Sequence, residues 1–172
     1  MNDALKSRLF VAAQFGLLLL LLIWPGSKAG WGALDFLFEF IGVLFFIGGA
    51  TVLVLAIREI FKQSVPKIEG TPKDRILKSL RIVLPQPMDD AKLVTSGVFR
   101  TVRHPIYGGL ILIGYGIGVG SGPWPHLLFA IALHSVLHYK ANLEEKFLGE
   151  KFGEYAAYTA RTNRFFPKVE ND

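Results

Sequence analysis

A chain of 172 residues that is 51% hydrophobic and only 19% charged is too apolar for an ordinary soluble domain, and disorder needs the opposite bias. With no cysteine it has no disulfide scaffold, no thiolate nucleophile, no cysteine-based zinc or iron–sulfur site and no lipidation of its own cysteine. A formal net charge of +5 would suggest nucleic acid for a soluble protein, but here the charges take another meaning once the apolar segments are placed.

The first segment, Leu9 to Trp24, holds sixteen residues without a charge, including six consecutive leucines from Leu17 to Leu22. No small-x-small cleavage site follows Ile23-Trp24-Pro25 and further apolar segments come later, so a retained helix is expected rather than a secretory signal. Phe40 to Ile57 holds eighteen such residues, just after Asp35 and Glu39. Gln63 to Leu93, with prolines at 66, 72, 85 and 87 and mixed charge, reads as a loop with one short amphipathic helix over Lys73 to Val83. Pro105 to Gly122 holds eighteen uncharged residues, and Pro123 to Tyr139 seventeen with three histidines. Each segment approaches the roughly 20 residues that cross about 30 Å of hydrocarbon as a helix. Beyond them Leu143, Phe147, Phe152 and Tyr155 keep close to helical spacing, with Gly153 as an interruption.

Eighteen of the nineteen lysines and arginines lie in the N-terminal tail, between Arg58 and Arg103, or from Lys140 onward; Lys28 is the exception. Basic residues gather on the cytoplasmic side of membrane proteins. The expectation is therefore an all-α integral membrane protein with about four transmembrane helices, a cytoplasmic C-terminal helical segment and both termini cytoplasmic. Residues 1–172 form a single membrane-embedded domain. Within it, 1–62 carry two transmembrane helices, 63–104 a cytoplasmic loop, 105–139 a transmembrane hairpin and 140–172 the C-terminal segment. The basic excess is then mostly a topology signal, and a nucleic-acid partner has no separate support.

Polar residues at the border of an apolar span are the informative ones. In Arg100 to Gly109, His104 precedes a proline, which disfavours a helical conformation there, and Pro105 suits a first helical turn. His104 and Arg103 should therefore lie where a loop enters a helix N-terminus, a place attractive to a carboxylate or phosphate, with Tyr107 in the first turn. Ordinary basic anchoring beside an interfacial tyrosine is the plainer reading. Lys140 and Glu144 are four apart and share a helix side, either as a solvated ion pair or as a site for a charged ligand. His134 and His138 have the spacing of half a metal site, but no second pair or carboxylate-rich box accompanies them, and no metal is expected. Gly114, Gly118 and Gly122 share one face of the third span, for close helix packing or for a flat wall against a ligand.

These residues also carry a resemblance. Leu93-Val94-Thr95-Ser96-Gly97-Val98-Phe99, then Arg103-His104-Pro105-Ile106-Tyr107-Gly108-Gly109, then Glu144-Glu145, Phe152-Gly153-Glu154-Tyr155, Tyr158, Arg164 and Phe166-Pro167 resemble the isoprenylcysteine carboxyl methyltransferase family, within a superfamily that includes the phospholipid N-methyltransferases. The match covers about residues 85–167; the first two spans match only in being apolar. The resemblance implies an integral-membrane enzyme that uses S-adenosylmethionine and methylates a lipophilic or membrane-associated acceptor, which enters from the bilayer. It implies cofactor contacts at Ala91, Lys92, Leu93, Val94, Phe99, His104, Pro105, Ile106, Tyr107, Glu144 and Glu145. Lys140 falls where prenylcysteine enzymes have a substrate-contacting arginine, and lysine lacks the planar fork that grips a carboxylate with two bonds. Arg103 is a second group for an anionic substrate and the one expected in a catalytic role. Phospholipid N-methylation, small-thiol S-methylation, a nicotinamide-dependent sterol-type reductase and a non-catalytic membrane module are the alternatives.

Overall fold

An apolar stretch can satisfy its backbone away from water only by bonding internally, and the simplest way is a helix. The structure is a computed structural model, described over residues 3–26, 30–64, 93–122 and 124–168. Its described residues form five α-helices: α1 (Asp3–Ile23), α2 (Asp35–Ser64), α3 (Pro105–Gly120), α4 (His126–Lys151) and α5 (Tyr155–Arg161). Short 3-10 turns, Gly32–Leu34 and Gly97–Arg100, precede α2 and α3. The amphipathic helix expected over Lys73 to Val83 lies outside the described residues.

Two helical stretches, Asp3–Ile23 and Gly32–Gln63, are long and apolar enough to cross a membrane. Pro105–Gly120 is apolar but shorter. The fourth apolar segment begins α4, which runs on past it to Lys151, so its last turns carry Glu144, Glu145, Lys146 and Glu150. Much of the outer surface of α1 and α2 is hydrocarbon: Leu9, Phe15, Leu19, Phe36, Phe40, Leu44, Ile47 and Val54 are all exposed. Apolar exposure on that scale suits a lipid or protein neighbour better than water.

α3 lies between α2 and α4, and α1 packs on α4. Glycines set the spacing on both sides of α3. Gly42 and Gly49 of α2, seven apart, face Gly116 and Gly109 of α3, also seven apart. A Cβ on Gly49 would stand 2.5 Å from the Gly109 carbonyl oxygen, and one on Gly42 2.7 Å from that of Gly116. On the other side, Gly114 and Gly118 meet α4, where an added Cβ would lie 3.2 Å from Leu133 Cδ2 and 3.2 Å from Leu127 Cα respectively. The glycine face read from the sequence is thus a packing face for its first two members. Gly122 instead makes the turn after α3, at φ 97°. The tightest contact, between α2 and α3, uses glycines that four-residue spacing within one span does not single out.

The chain before α3 is anchored to the end of α2. Ser96 Oγ donates to the Glu59 carboxylate, as does Gln63 Nε2 at 2.9 Å. Gly97 follows at φ 58°, and a Cβ there would press on the same carboxylate at 2.9 Å, so conformation and space both require glycine.

The seam yields a sharp contrast between adjacent residues. Overpacking costs about 1–3 kcal/mol, so Gly49→Ala should lower the melting temperature in detergent by several degrees. Gly48→Ala, whose Cβ would meet nothing within 4 Å, should leave it unchanged. Equal effects at both positions would remove the close approach of α2 and α3.

Candidate active site

Three segments supply the charged and polar groups of the site. The first is the entry to α3. His104 occupies the N-cap at φ −122° and ψ 61°, the extended side of the map that a following proline demands, and Pro105 sits in the first turn. The second is the charged end of α4. The third is the strand-like stretch after α5, held beside the first by a parallel bridge between Val102 and Asn163. Its bonds run from Arg103 N to Asn163 O (2.9 Å), from His104 N to Arg164 O (2.9 Å) and from Asn163 N to Thr101 O (3.1 Å).

This bridge brings Arg103, His104 and Arg164 around one carboxylate. Glu145 Oε1 accepts from Arg103 Nε, His104 Nε2 and Arg164 Nε, each at 3.1 Å, and Oε2 accepts from Arg164 Nη2 at 2.6 Å. Burial alone would raise the Glu145 carboxyl. The hydrogen bonds from His104 and Arg164, the neighbouring positive charge and the Arg103 bond outweigh it and hold the group at about 2. The Arg103 guanidinium also donates through Nη1 to the carbonyls of Thr159 and Thr162. Arg103 is therefore taken up by the protein itself, clamping α4 to the chain around α5.

Glu144 is placed differently. Its Oε2 accepts from the Tyr107 hydroxyl at 2.7 Å and lies 3.6 Å from His104 Nδ1. The negative end of α4 thus meets the first turn of α3, where a carboxylate is electrostatically favoured. The His104 and Tyr107 rings stack with centroids 5.2 Å apart and planes 5° apart. Lys140, one turn back, does not lie on a wetted face. It is buried, donates to Gln14 Oε1 at 2.7 Å and stands 5.0 Å from the Tyr107 ring centroid.

Of the cofactor contacts expected from the sequence, His104, Pro105, Tyr107 and Phe99 are buried, while Leu93, Val94, Ile106, Glu144 and Glu145 are partly buried. Phe99 is tied to α5 through its carbonyl, which accepts from the Tyr158 hydroxyl at 2.7 Å. Ala91 and Lys92 lie outside the described residues. His134 Nδ1 is 3.2 Å from the Tyr115 hydroxyl, and His138 lies beside Tyr139 and Phe165. Three participants were not among the expected site residues. Phe165 lies against His104, His134 and His138, with its carbonyl against Gly108. Tyr155 is buried with an unpartnered hydroxyl that burial, and then the charge of Glu145, push well above the ordinary tyrosine range. Gln14 is the third. Its signal was present: it is the one polar side chain between Leu9 and Trp24.

The described residues thus hold two membrane-length apolar helices and gather carboxylates and cations where two helix ends meet. Residues 78–155, under half of the chain, match the family model for phospholipid methyltransferase. A rice relative (Oryza sativa subsp. indica) named "Probable protein-S-isoprenylcysteine O-methyltransferase" is 33% identical over 84 residues, 48% of this chain and 44% of the relative. "Protein-S-isoprenylcysteine O-methyltransferase B" of Arabidopsis thaliana is 26% identical over 151 residues, 87% of this chain and 66% of the relative. The cobalt-zinc-cadmium resistance protein CzcN of Cupriavidus metallidurans is 37% identical over 79 residues, 45% of this chain and 36% of the relative. The chain thus spans less than half the length of the rice relative it matches.

The low value of Glu145 fixes a pH dependence. A carboxylate held below its ordinary range in the folded state contributes stability above that range and loses it as pH falls toward about 2. Melting in detergent should therefore drop steeply below about pH 5 in the parent protein. Glu145→Gln should already be less stable at pH 7, by about 1.5–3 kcal/mol for a charged hydrogen bond lost, with a flatter acid limb. A parallel pair of curves would show that Glu145 is not the acid-labile group.

Proposed function

We propose that this chain is a membrane methyltransferase that takes its methyl group from S-adenosylmethionine and passes it to a lipophilic or membrane-associated acceptor, as in the isoprenylcysteine O-methyltransferase type. The observation that carries this reading is the convergence of His104, Tyr107, Glu144 and the Glu145 clamp within the stretch that matches the family. In this reading α3 and α4 also cross the bilayer, both termini are cytoplasmic and the site opens on that side, in keeping with the distribution of lysine and arginine.

The donor set suits such a cofactor. Glu145 is saturated by its three cationic neighbours, but Glu144 has one oxygen on Tyr107 and acceptor capacity to spare for an ammonium or ribose hydroxyls. The unpartnered Tyr155 hydroxyl is a buried donor near the two glutamates. Phe99 and the stacked His104–Tyr107 pair offer flat apolar surface, with Leu93, Val94, Pro105 and Ile106 around them. Ala91 and Lys92 complete the proposed set. When bound, the cofactor supplies an electrophilic methyl group on a sulfonium.

The chain's own part is alignment and dryness. Lys140 holds the acceptor's anionic group, and its burial keeps that charge away from bulk water. Glu145 and Arg103 do not touch the reacting atoms; they position His104 and Tyr107. A carboxylate acceptor is already ionised at neutral pH, so no general base is required. An in-line displacement gains most from orientation and exclusion of water. The description of the family model favours a second acceptor, a phospholipid amine, which would instead have to shed a proton.

Calorimetry in detergent with S-adenosylmethionine, and with NADPH in parallel, tests this reading. The first should bind and the second should not. Glu144→Ala and Tyr107→Phe should each weaken binding by about ten- to hundredfold, the worth of a charge-assisted hydrogen bond, whereas His134→Ala should change it less than about threefold. Binding of NADPH alone would turn the reading to a reductase. Unchanged affinity in a folded Glu144→Ala protein would remove Glu144 from the cofactor site.

A further inference from the structure

The buried face of α1 repeats every seven residues: Ser7, Gln14 and Leu21 are its three buried side chains. This face packs on α4. Gln14 is 5% exposed and sits in a stretch otherwise made of leucine, alanine, phenylalanine and their kind. A polar side chain in such a place is costly unless satisfied, and its acceptor is spent on a single donor, the Lys140 ammonium at 2.7 Å. Lys140 is itself 1% exposed.

The choice of partner matters. An ammonium has three donors and a full charge. A glutamate in place of Gln14 would neutralise it, but the amide only orients it. Among the described residues no carboxylate is in ion-pair contact with Lys140; Glu144 is turned to Tyr107 and His104, and Glu145 to the arginines. The ring of Tyr107 faces the ammonium at 5.0 Å and adds attraction without cancelling the charge. The result is a buried cation, fixed in direction by a neutral group, attracted by Glu144 only from beyond contact distance and left without an ion-pair partner beside the proposed cofactor site.

We propose that Gln14 is a positioning residue for acceptor charge: it holds the Lys140 ammonium against the Tyr107 ring so that its remaining N–H groups receive the anionic group of a lipophilic acceptor. This assigns a specificity role to α1, which lies outside the stretch matched to the family, and it rests on the methyltransferase reading above. The ligand chemistry is a carboxylate or phosphate carried on an apolar chain.

The test compares two probes that differ only in charge, N-acetyl-S-farnesylcysteine and its carboxamide, with S-adenosylhomocysteine as a third ligand, all by calorimetry in detergent. The parent protein should prefer the carboxylate at least tenfold. Gln14→Glu keeps the length and the hydrogen bond but cancels the charge; it should abolish that preference while leaving carboxamide and S-adenosylhomocysteine affinities within twofold. Gln14→Met, which removes the acceptor and adds no charge, should reduce the preference severalfold and serves if Gln14→Glu does not fold. A phosphatidylethanolamine dispersion in place of the farnesyl probes tells a phosphate from a carboxylate source. A parent protein with no carboxylate preference overturns the inference, as does a variant in which all three ligands weaken together, since that is the mark of a merely structural contact. Carboxylate preference that responds to Gln14, in a protein that binds no S-adenosylhomocysteine, would retain the inference and discard the methyltransferase reading.

Discussion

The carboxylate of Glu145 is the point on which the charged end of the molecule depends. It receives four donor contacts, at 2.6–3.1 Å, from Arg103, His104 and Arg164. These side chains come from the entry of α3 and from the stretch after α5, and Glu145 itself stands on α4. Three segments far apart in sequence are therefore held by one ion. Bonds of this kind are roughly twice as strong as neutral ones. They also leave the neighbouring Glu144 uncommitted to any arginine and directed to Tyr107. Two adjacent glutamates thus have different surroundings: one joins three segments, and the other faces Tyr107 and His104.

That frame needs helices that do not drift. The glycine pairs of α2 and α3 let backbone meet backbone, which fixes the height of α3 against α2 and so where Pro105 and His104 begin. The Ser96 and Gly97 contacts with Glu59 fix the approach of the preceding chain from the same helix. On the opposite side α1 reaches the site through Gln14 and Lys140, and the charged end of α4 also through Asp3 and Lys146 at 3.1 Å. Apolar packing thus sets distances along most of each helix, and a few charged or polar contacts at the ends set directions.

Much of this was legible in the sequence. Helix existence followed from uncharged apolar runs, and the break at Gly153 falls between α4 and α5 as its position suggested. The border position of Arg103, His104, Tyr107, Glu144 and Glu145 followed from the ends of the apolar segments, while their meeting in one site was implied by the resemblance alone. Division of labour among them was not legible, since it depends on which cations the Val102–Asn163 bridge delivers. Lys140 shows the same limit: i, i+4 spacing with Glu144 left a solvated pair and a ligand site both open, and only packing of α1 shows that it is buried with Gln14. The glycine seam between α2 and α3 needed knowledge of which two helices are neighbours, and periodicity within one helix does not contain that.

The most direct test is an experimental structure with S-adenosylhomocysteine bound. The ligand should lie against Glu144 and the Tyr155 hydroxyl, at the end of α4, with Glu145 still bonded to Arg103 and Arg164. A ligand seated instead in the open groove between α2 and α3, near Glu39, Phe46 and Ser121, would contradict the account. So would a Glu145 that leaves its arginines to hold the ligand itself.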